Sequence, residues 1–141
     1  MYLVDTNIWL ERLLDQERSD EVGEFLSAVH SDQMGITDFS LHSIGVITAR
    51  LKRPEIFLAF LTDACIEGAV NIISLGPEHL QKLVHSMALY HLDFDDAYQF
   101  TAAYEYELVL VSFDTDFDKT PLQRKTPQQV LKNAREQSGG S

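Results

Sequence analysis

The sequence predicts an α/β fold, a three-layer α/β/α sandwich around a central parallel sheet. Two observations lead to this prediction. Short apolar runs that favour strands alternate along the 141 residues with stretches of helical periodicity. The runs at residues 2–4 and 108–113 also lack the polar alternation of a half-exposed strand. Parallel strands joined by right-handed helical crossovers are buried on both faces, which accounts for both observations.

The remaining elements follow from their boundary signals. Pro54 separates two helical stretches, so we expect a helical hairpin near residues 38–67. Asp38 is expected to be the N-cap of its first helix, and Thr126 opens a capping box with Gln129 before the last helix. Strands are expected at residues 2–4, 34–37, 70–75 and 108–113. Helices are expected at residues 8–14, 19–29, 38–51, 54–67, 77–91, from 95 or 96 to 104, and from 127.

Length and composition predict a single domain at residues 1–137. Residues 138–141 read Ser-Gly-Gly-Ser, which predicts a flexible tail of the composition that cloning leaves behind. No apolar run reaches the length of a transmembrane helix, and the N-terminus lacks the pattern of a signal peptide. We therefore expect a cytoplasmic protein with no membrane partner.

The charge balance is acidic, with 11 Lys and Arg against 22 Asp and Glu and a formal net charge of −11. This argues against a nucleic-acid partner, because phosphate binding usually leaves a basic footprint. It does not exclude one, since a bound divalent cation would offset the local charge. Basic residues also cluster locally at Arg50, Lys52 and Arg53, although a solvated helix end explains that cluster equally well.

Carboxylates stand at the ends of three separate elements. Asp5 follows the first strand, Asp96 lies at the start of a helix, and Asp114 and Asp116 follow the last strand. Each of them alone is explained by a helix cap or a turn. Together they would repel one another at the sheet edge unless a cation lay between them, so the sequence favours a divalent metal site.

No other chemical motif stands out. His79, His85 and His91 recur every six residues, which scatters them around a helix rather than forming a zinc site. His42 follows Asp38 by one turn, and a local hydrogen bond is its expected role. The sequence contains neither a glycine-rich phosphate loop nor a nucleophile elbow.

With these acids the chain resembles the PIN-domain family, which includes the VapC-type ribonuclease toxins. The resemblance rests on three stretches in this order and spacing: Val4-Asp5-Thr6-Asn7, Asp96-Ala97 with Ala102-Ala103, and the run from Val109 to Phe117. It implies a parallel-sheet α/β/α domain and cleavage of RNA that depends on Mg²⁺ or Mn²⁺. Carried over, Asp5, Asp96 and Asp114 would bind the metal and Asp116 would be a fourth acid.

The same resemblance gives roles to polar residues around those acids, and it fails at one of them. Asn7 and Ser112 match small polar positions beside the ligands. The family usually carries a glutamate in its second conserved helix, where this chain has Ser43. A hydroxyl is a poor replacement for a charged ligand of Mg²⁺. Either Asp38 or His42 compensates in part, or fewer acids hold the metal and bind it more weakly.

These observations support a metal-dependent ribonuclease as the first hypothesis. If the chain is toxin-like, an antitoxin protein and a homodimer follow from the resemblance alone. The second hypothesis is a PIN-like protein-binding module with weak or lost catalysis, motivated by Ser43 and the acidic charge. A third and weaker hypothesis is a phospho-acceptor domain with Asp5 as the acceptor.

Overall fold

The computed structural model describes residues 1–139 and confirms the predicted sandwich around a parallel sheet. The sheet has four strands in the order β3-β2-β1-β4, all parallel to their neighbours. Its strands are β1 (Tyr2–Val4), β2 (Met34–Thr37), β3 (Asn71–Ile73) and β4 (Val109–Val111). The chain moves outward from β1 to β3 and then returns to the other side of β1, so the carboxyl ends of β1 and β4 flank a topological switch point. Ligands of open α/β sheets bind at such a point.

Helices cover both faces of this sheet. Their bounds are α1 (Thr6–Leu13), α2 (Ser19–Ala28), α3 (Asp38–Arg50), α4 (Pro54–Phe60), α5 (Pro77–Tyr90), α6 (Phe94–Glu105) and α7 (Pro127–Gly139). A π-helical segment, Leu61–Ile66, continues α4, and a 3₁₀ turn, Thr115–Lys119, follows β4. Among the described residues, none of these helices has the length and apolar character needed to cross a membrane.

The two sides of the sheet form two hydrophobic cores. Val4 and Val111 pack into the core that α1, α2, α3, α4 and α7 share, whereas Leu3 and Leu110 pack into the core under α5 and α6. Neighbouring residues of a strand point to opposite faces, and the register pairs Leu3 with Leu110 and Val4 with Val111. The register therefore fixes where Asp5 emerges relative to the residues that follow β4.

Several predicted boundaries move by a few residues. The N-cap of α3 is Thr37 rather than Asp38, because the Thr37 hydroxyl accepts a hydrogen bond from the Ser40 amide at 3.0 Å. The N-cap of α6 is Asp93, whose carboxylate accepts from the Asp96 amide at 2.9 Å, so this helix begins before the predicted Asp95 or Asp96. The helical hairpin is confirmed, with Phe57 of α4 packed against Gly45 of α3.

The end of the chain agrees with one prediction and leaves another open. Thr126 and Gln129 form the predicted capping box, each side chain accepting from the other residue's backbone amide, at 2.9 and 3.2 Å. The last two residues of α7 are Ser138 and Gly139, which belong to the predicted tail. The rest of that tail, residues 140–141, lies outside the described residues, and the single-domain assignment stays a prediction.

Candidate metal centre

A cleft of about 670 Å³ opens at the carboxyl ends of β1 and β4, between α1, α3 and α6. Six carboxylates line it: Asp5, Asp93, Asp95, Asp96, Asp114 and Asp116. Arg50 is the one lysine or arginine among the lining residues of the described chain. The cleft is therefore strongly acidic, and the switch point of the sheet explains why acids from distant segments meet there.

Asp5 lies at the floor of this cleft, where β1 passes into α1. Its carboxylate caps α1, with Oδ1 accepting from the Thr6 amide at 2.8 Å. The same oxygen accepts from the Gln99 amide at 3.2 Å, and Oδ2 accepts from the Ser112 hydroxyl at 2.7 Å. The residue is only 6% exposed. Asp5 lies between β1 and α1, so it can cap the helix and line the cleft at the same time.

Asp114 and Asp116 belong to the turn that follows β4. The Ser112 hydroxyl accepts from the Asp114 amide at 2.9 Å, and the Asp114 carboxylate accepts from the Asp116 amide at 2.8 Å. The turn that the sequence offers as an alternative explanation of these two acids is therefore present. Both residues nevertheless line the cleft. Asp116 also lies 3.4 Å from the Lys119 ammonium, at the exposed rim.

The tightest grouping of acids joins this turn to α6. One carboxylate oxygen from each of Asp96, Asp114 and Asp116 lies within 4.8 Å of the other two. Asp96 is in the first turn of α6, so the cap at Asp93 sets its direction. Asp5 lines the same cleft beside this grouping, held to Asp114 through the shared Ser112 hydroxyl.

The electrostatics of the cleft reflect this crowding. Partial burial, together with the charges of Asp114, Asp93, Asp5 and Asp116, raises the pKa of Asp96 to about 7. Burial also raises the pKa of Asp5, although hydrogen bonds from Ser112, Thr6 and Gln99 oppose the shift. A cation in the cleft would relieve both shifts, since it stabilises the ionised forms of the acids around it.

Residues of α3, including His42, Ser43 and Arg50, form one side of the cleft, the α3 wall. Ser43 on this wall is the position where the chain departs from the pattern of the family it resembles. Ser43 and His42 both line the cleft, as does the exposed Asn7 of α1. Asp38 does not line it, because its carboxylate accepts from the Tyr98 hydroxyl at 2.6 Å and from the Phe39 amide at 2.8 Å. The structure thus brings His42, and not Asp38, to the side of the cleft that Ser43 occupies.

Sequence reasoning missed Gln99, a buried polar residue beneath the cleft. It donates to Asp5 and to the Ser40 hydroxyl and lies 3.4 Å from the Thr6 hydroxyl. The signal that could have found it is its spacing, because Gln99 follows Asp96 by three residues and shares its helix face. A glutamine among the buried residues of α6 requires a hydrogen-bonding explanation.

Several solved structures share the fold of this chain. The fold matches VapC20 of Mycobacterium tuberculosis, described as a sarcin–ricin loop cleaving toxin, with a TM-score of 0.77 at 14% identity over 90% of this chain and 100% of that one. It matches FitAcB of Neisseria gonorrhoeae with a TM-score of 0.74 at 17% identity, over 91% and 99%. A toxin–antitoxin complex from Klebsiella pneumoniae gives a TM-score of 0.71 at 24% identity, over 90% and 98%. At these identities the likeness establishes the fold.

The family assignment comes from the sequence itself. No curated protein matches the chain. A family model described as the PIN domain does match, over residues 2–122, which include all four strands and every acid of the cleft. The chain belongs to the PIN-domain family.

Proposed function

We propose that the protein is a metal-dependent endoribonuclease. The observation that carries the proposal is the grouping of Asp96, Asp114 and Asp116, whose oxygens approach within 4.8 Å of one another beside the buried Asp5. Three carboxylates at such distances repel strongly unless a cation is shared among them. These acids lie at the switch point of the sheet, where enzymes of this architecture bind their ligands.

The residues of the cleft fit Mg²⁺ or Mn²⁺. Carboxylate oxygens are the hard ligands that these ions prefer, and neither a thiol nor a zinc-type histidine set lines the cleft within the described residues. In the proposal Asp5, Asp96 and Asp114 hold the ion. When bound, such an ion lowers the pKa of a water molecule and offsets the charge of a phosphodiester.

Neighbouring side chains support those ligands. Ser112 joins Asp5 to Asp114 and so keeps two acids from different segments in register. Asp116, at the exposed rim, orients the attacking water or a second ion. Arg50 is the cation that a substrate phosphate meets on the α3 wall, which partly answers the objection raised by the acidic net charge.

RNA is the proposed substrate, and an antitoxin protein is the proposed partner. Both follow from family membership and from two neighbours, one described as a toxin that cleaves the sarcin–ricin loop and one as a toxin–antitoxin complex. A homodimer is proposed on the family resemblance alone.

One observation favours a second function, a PIN-like module that binds proteins and has little or no catalysis. Ser43 lies on the α3 wall where the family usually carries a glutamate. The Asp38 carboxylate accepts a hydrogen bond from Tyr98 and does not line the cleft. A site with one carboxylate fewer binds divalent ions more weakly. Whether the purified chain binds Mn²⁺ at millimolar concentration separates the two functions.

We expect Asp96→Asn to lower RNA cleavage by more than about 100-fold, the upper end of what loss of a supporting partner costs at a metal site. The physical reason is that the amide removes one of three clustered charges without changing the shape of the side chain. The measurement is cleavage of structured RNA in Mn²⁺, with a chelator control and a thermal melt to establish folding.

The matched control for this variant is Asp32→Asn, an acid-to-amide change at an exposed residue outside the cleft. It should cleave at the wild-type rate. Equal activity of wild type and Asp96→Asn in nuclease-free preparations would rule out the proposed mechanism.

The raised pKa of Asp96 should make metal-free stability depend on pH. Its value of about 7 in the folded state lies above that of an unfolded aspartate, about 3.9. The folded state therefore binds more protons between these values, and this carboxyl costs stability as pH rises from about 4 through 7. We expect the melting temperature of Asp96→Asn, relative to wild type in chelator, to rise by a few degrees from about pH 5 to about pH 8.

Adding Mn²⁺ should reverse this trend for the wild type and have less effect on Asp96→Asn, because the ion stabilises the ionised carboxylate. Thermal melts across pH, with Asp32→Asn alongside, give the comparison. A difference in melting temperature between wild type and Asp96→Asn that stays constant across pH would contradict the account.

We expect Ser43→Glu to tighten Mn²⁺ binding by roughly tenfold, within the range that carboxylates near a metal site contribute. Ser43 lines the cleft, so the longer side chain can present an additional carboxylate from the α3 wall. Ser43→Gln has the same length and no charge, and it should leave the affinity near that of wild type. Calorimetric titration with Mn²⁺ measures both, and equal affinities for the two variants would show that this wall does not face the ion.

A further inference from the structure

We propose that Gln99 is a positioning residue that fixes the Asp5 carboxylate for metal binding. This inference rests on the proposed function and deepens it, because it explains how a buried acid of the centre is held. The proposal starts from an observation that the metal ligands themselves do not explain, the presence of a buried glutamine beneath the cleft.

Gln99 lies on α6 and is only 2% exposed. Its Nε2 donates to Asp5 Oδ1 at 3.2 Å and to the Ser40 hydroxyl at a shorter distance, and it lies 3.4 Å from the Thr6 hydroxyl. A side-chain amide has two N–H donors. Both of them are therefore directed at the small space between β1, α1 and α3.

The carbonyl oxygen of the Gln99 side chain differs from its N–H groups. Within the described residues, Gln99 Oε1 is buried and has no hydrogen-bond partner. Leaving a buried acceptor unsatisfied costs about 1–3 kcal/mol. The side chain is thus oriented by its N–H groups at the expense of its carbonyl, which is the arrangement expected of a donor that serves Asp5.

The donors around Asp5 determine which part of its carboxylate stays open. An ionised carboxylate has about two acceptor sites on each oxygen. Oδ1 accepts from the Thr6 amide and from Gln99, and Oδ2 accepts from Ser112 alone. With Gln99 both acceptor sites of Oδ1 are occupied, and the remaining site lies on Oδ2, the oxygen that Ser112 links to the Asp114 amide.

Gln99 also ties together the elements that deliver the acids. Its partner Ser40 accepts from the Thr37 hydroxyl at 3.0 Å and lies 2.6 Å from the Thr6 hydroxyl. The chain of contacts links the N-terminal turn of α3, the end of β1 and the face of α6 that also carries Asp96. Because the link is uncharged, it holds Asp5 without adding another anion to a crowded centre.

The test compares two variants of the full chain that each replace a buried polar side chain of α6 by an apolar one. Gln99→Met keeps nearly the same length and loses the donors. Thr101→Val is the matched control, since Thr101 is also 2% exposed and its hydroxyl has no partner among the described residues. Mn²⁺ affinity is measured by the loss of the electron paramagnetic resonance signal of the free ion, and folding by thermal melts.

We expect Gln99→Met to weaken Mn²⁺ binding by about 10–100-fold, the cost of losing a hydrogen bond that orients a metal ligand. Thr101→Val should bind Mn²⁺ like the wild type. If Gln99 only filled the core, its loss would change the melting temperature and leave the affinity alone, and that result would overturn the proposal.

A second variant covers the case in which Gln99→Met fails to fold. Gln99→Asn keeps the amide but withdraws it by one methylene from Asp5, so it should weaken Mn²⁺ binding in the same range. Wild-type affinity in this variant would overturn the proposal. If the wild-type chain itself binds no Mn²⁺, the proposed function fails and this inference fails with it, whereas a wild type that binds and variants that match it refute the role of Gln99 alone.

Discussion

The mutual repulsion of carboxylates at one edge of a parallel sheet is the constraint on which the rest of this structure depends. Asp96, Asp114 and Asp116 come from two elements, and their oxygens nevertheless approach within 4.8 Å. Such an arrangement raises the free energy of the metal-free fold, and partial burial together with the neighbouring carboxylates raises the pKa of Asp96 to about 7. The hydrophobic cores on the two faces of the sheet have to compensate for it.

Hydrogen bonds from uncharged donors hold the acids in place in spite of this repulsion. Ser112 connects Asp5 with the backbone of Asp114, Asp93 fixes the first turn of α6 beneath Asp96, and Gln99 occupies the remaining side of Asp5. None of these side chains is positively charged. A cationic side chain in their place would hold the acids together but would also compete with a metal ion for them.

The elements that sequence could predict were those with strong local signals. The apolar runs at β1 and β4 predict the sheet, and Pro54, the first residue of α4, predicts the hairpin. The sequence places the cap of α3 one residue late, because Thr37 and Asp38 are both good caps and only tertiary contacts decide between them. Tyr98, from a helix far along the chain, takes the Asp38 carboxylate away from the cleft.

The candidate site was predictable to a similar extent and for the same reason. Acids at element ends can be recognised in a sequence, and the switch point of a parallel sheet explains why they converge. The spacing of Gln99, three residues after Asp96, places it on the same helix face, but its partners Asp5 and Ser40 come from distant segments, so the sequence does not reveal its role. Whether Ser43 weakens the centre is also a matter of distance across the cleft, and no pattern in α3 reports that distance.

The central claim is that acids from distant segments share one cation. The most direct measurement is a crystal of the full chain soaked in Mn²⁺, with anomalous scattering collected at a wavelength where manganese contributes. The account predicts a peak in the cleft within bonding distance of Asp96 and Asp114 carboxylate oxygens. A soak at saturating Mn²⁺ that gives no peak in the cleft, or gives manganese peaks only elsewhere on the surface, would contradict it.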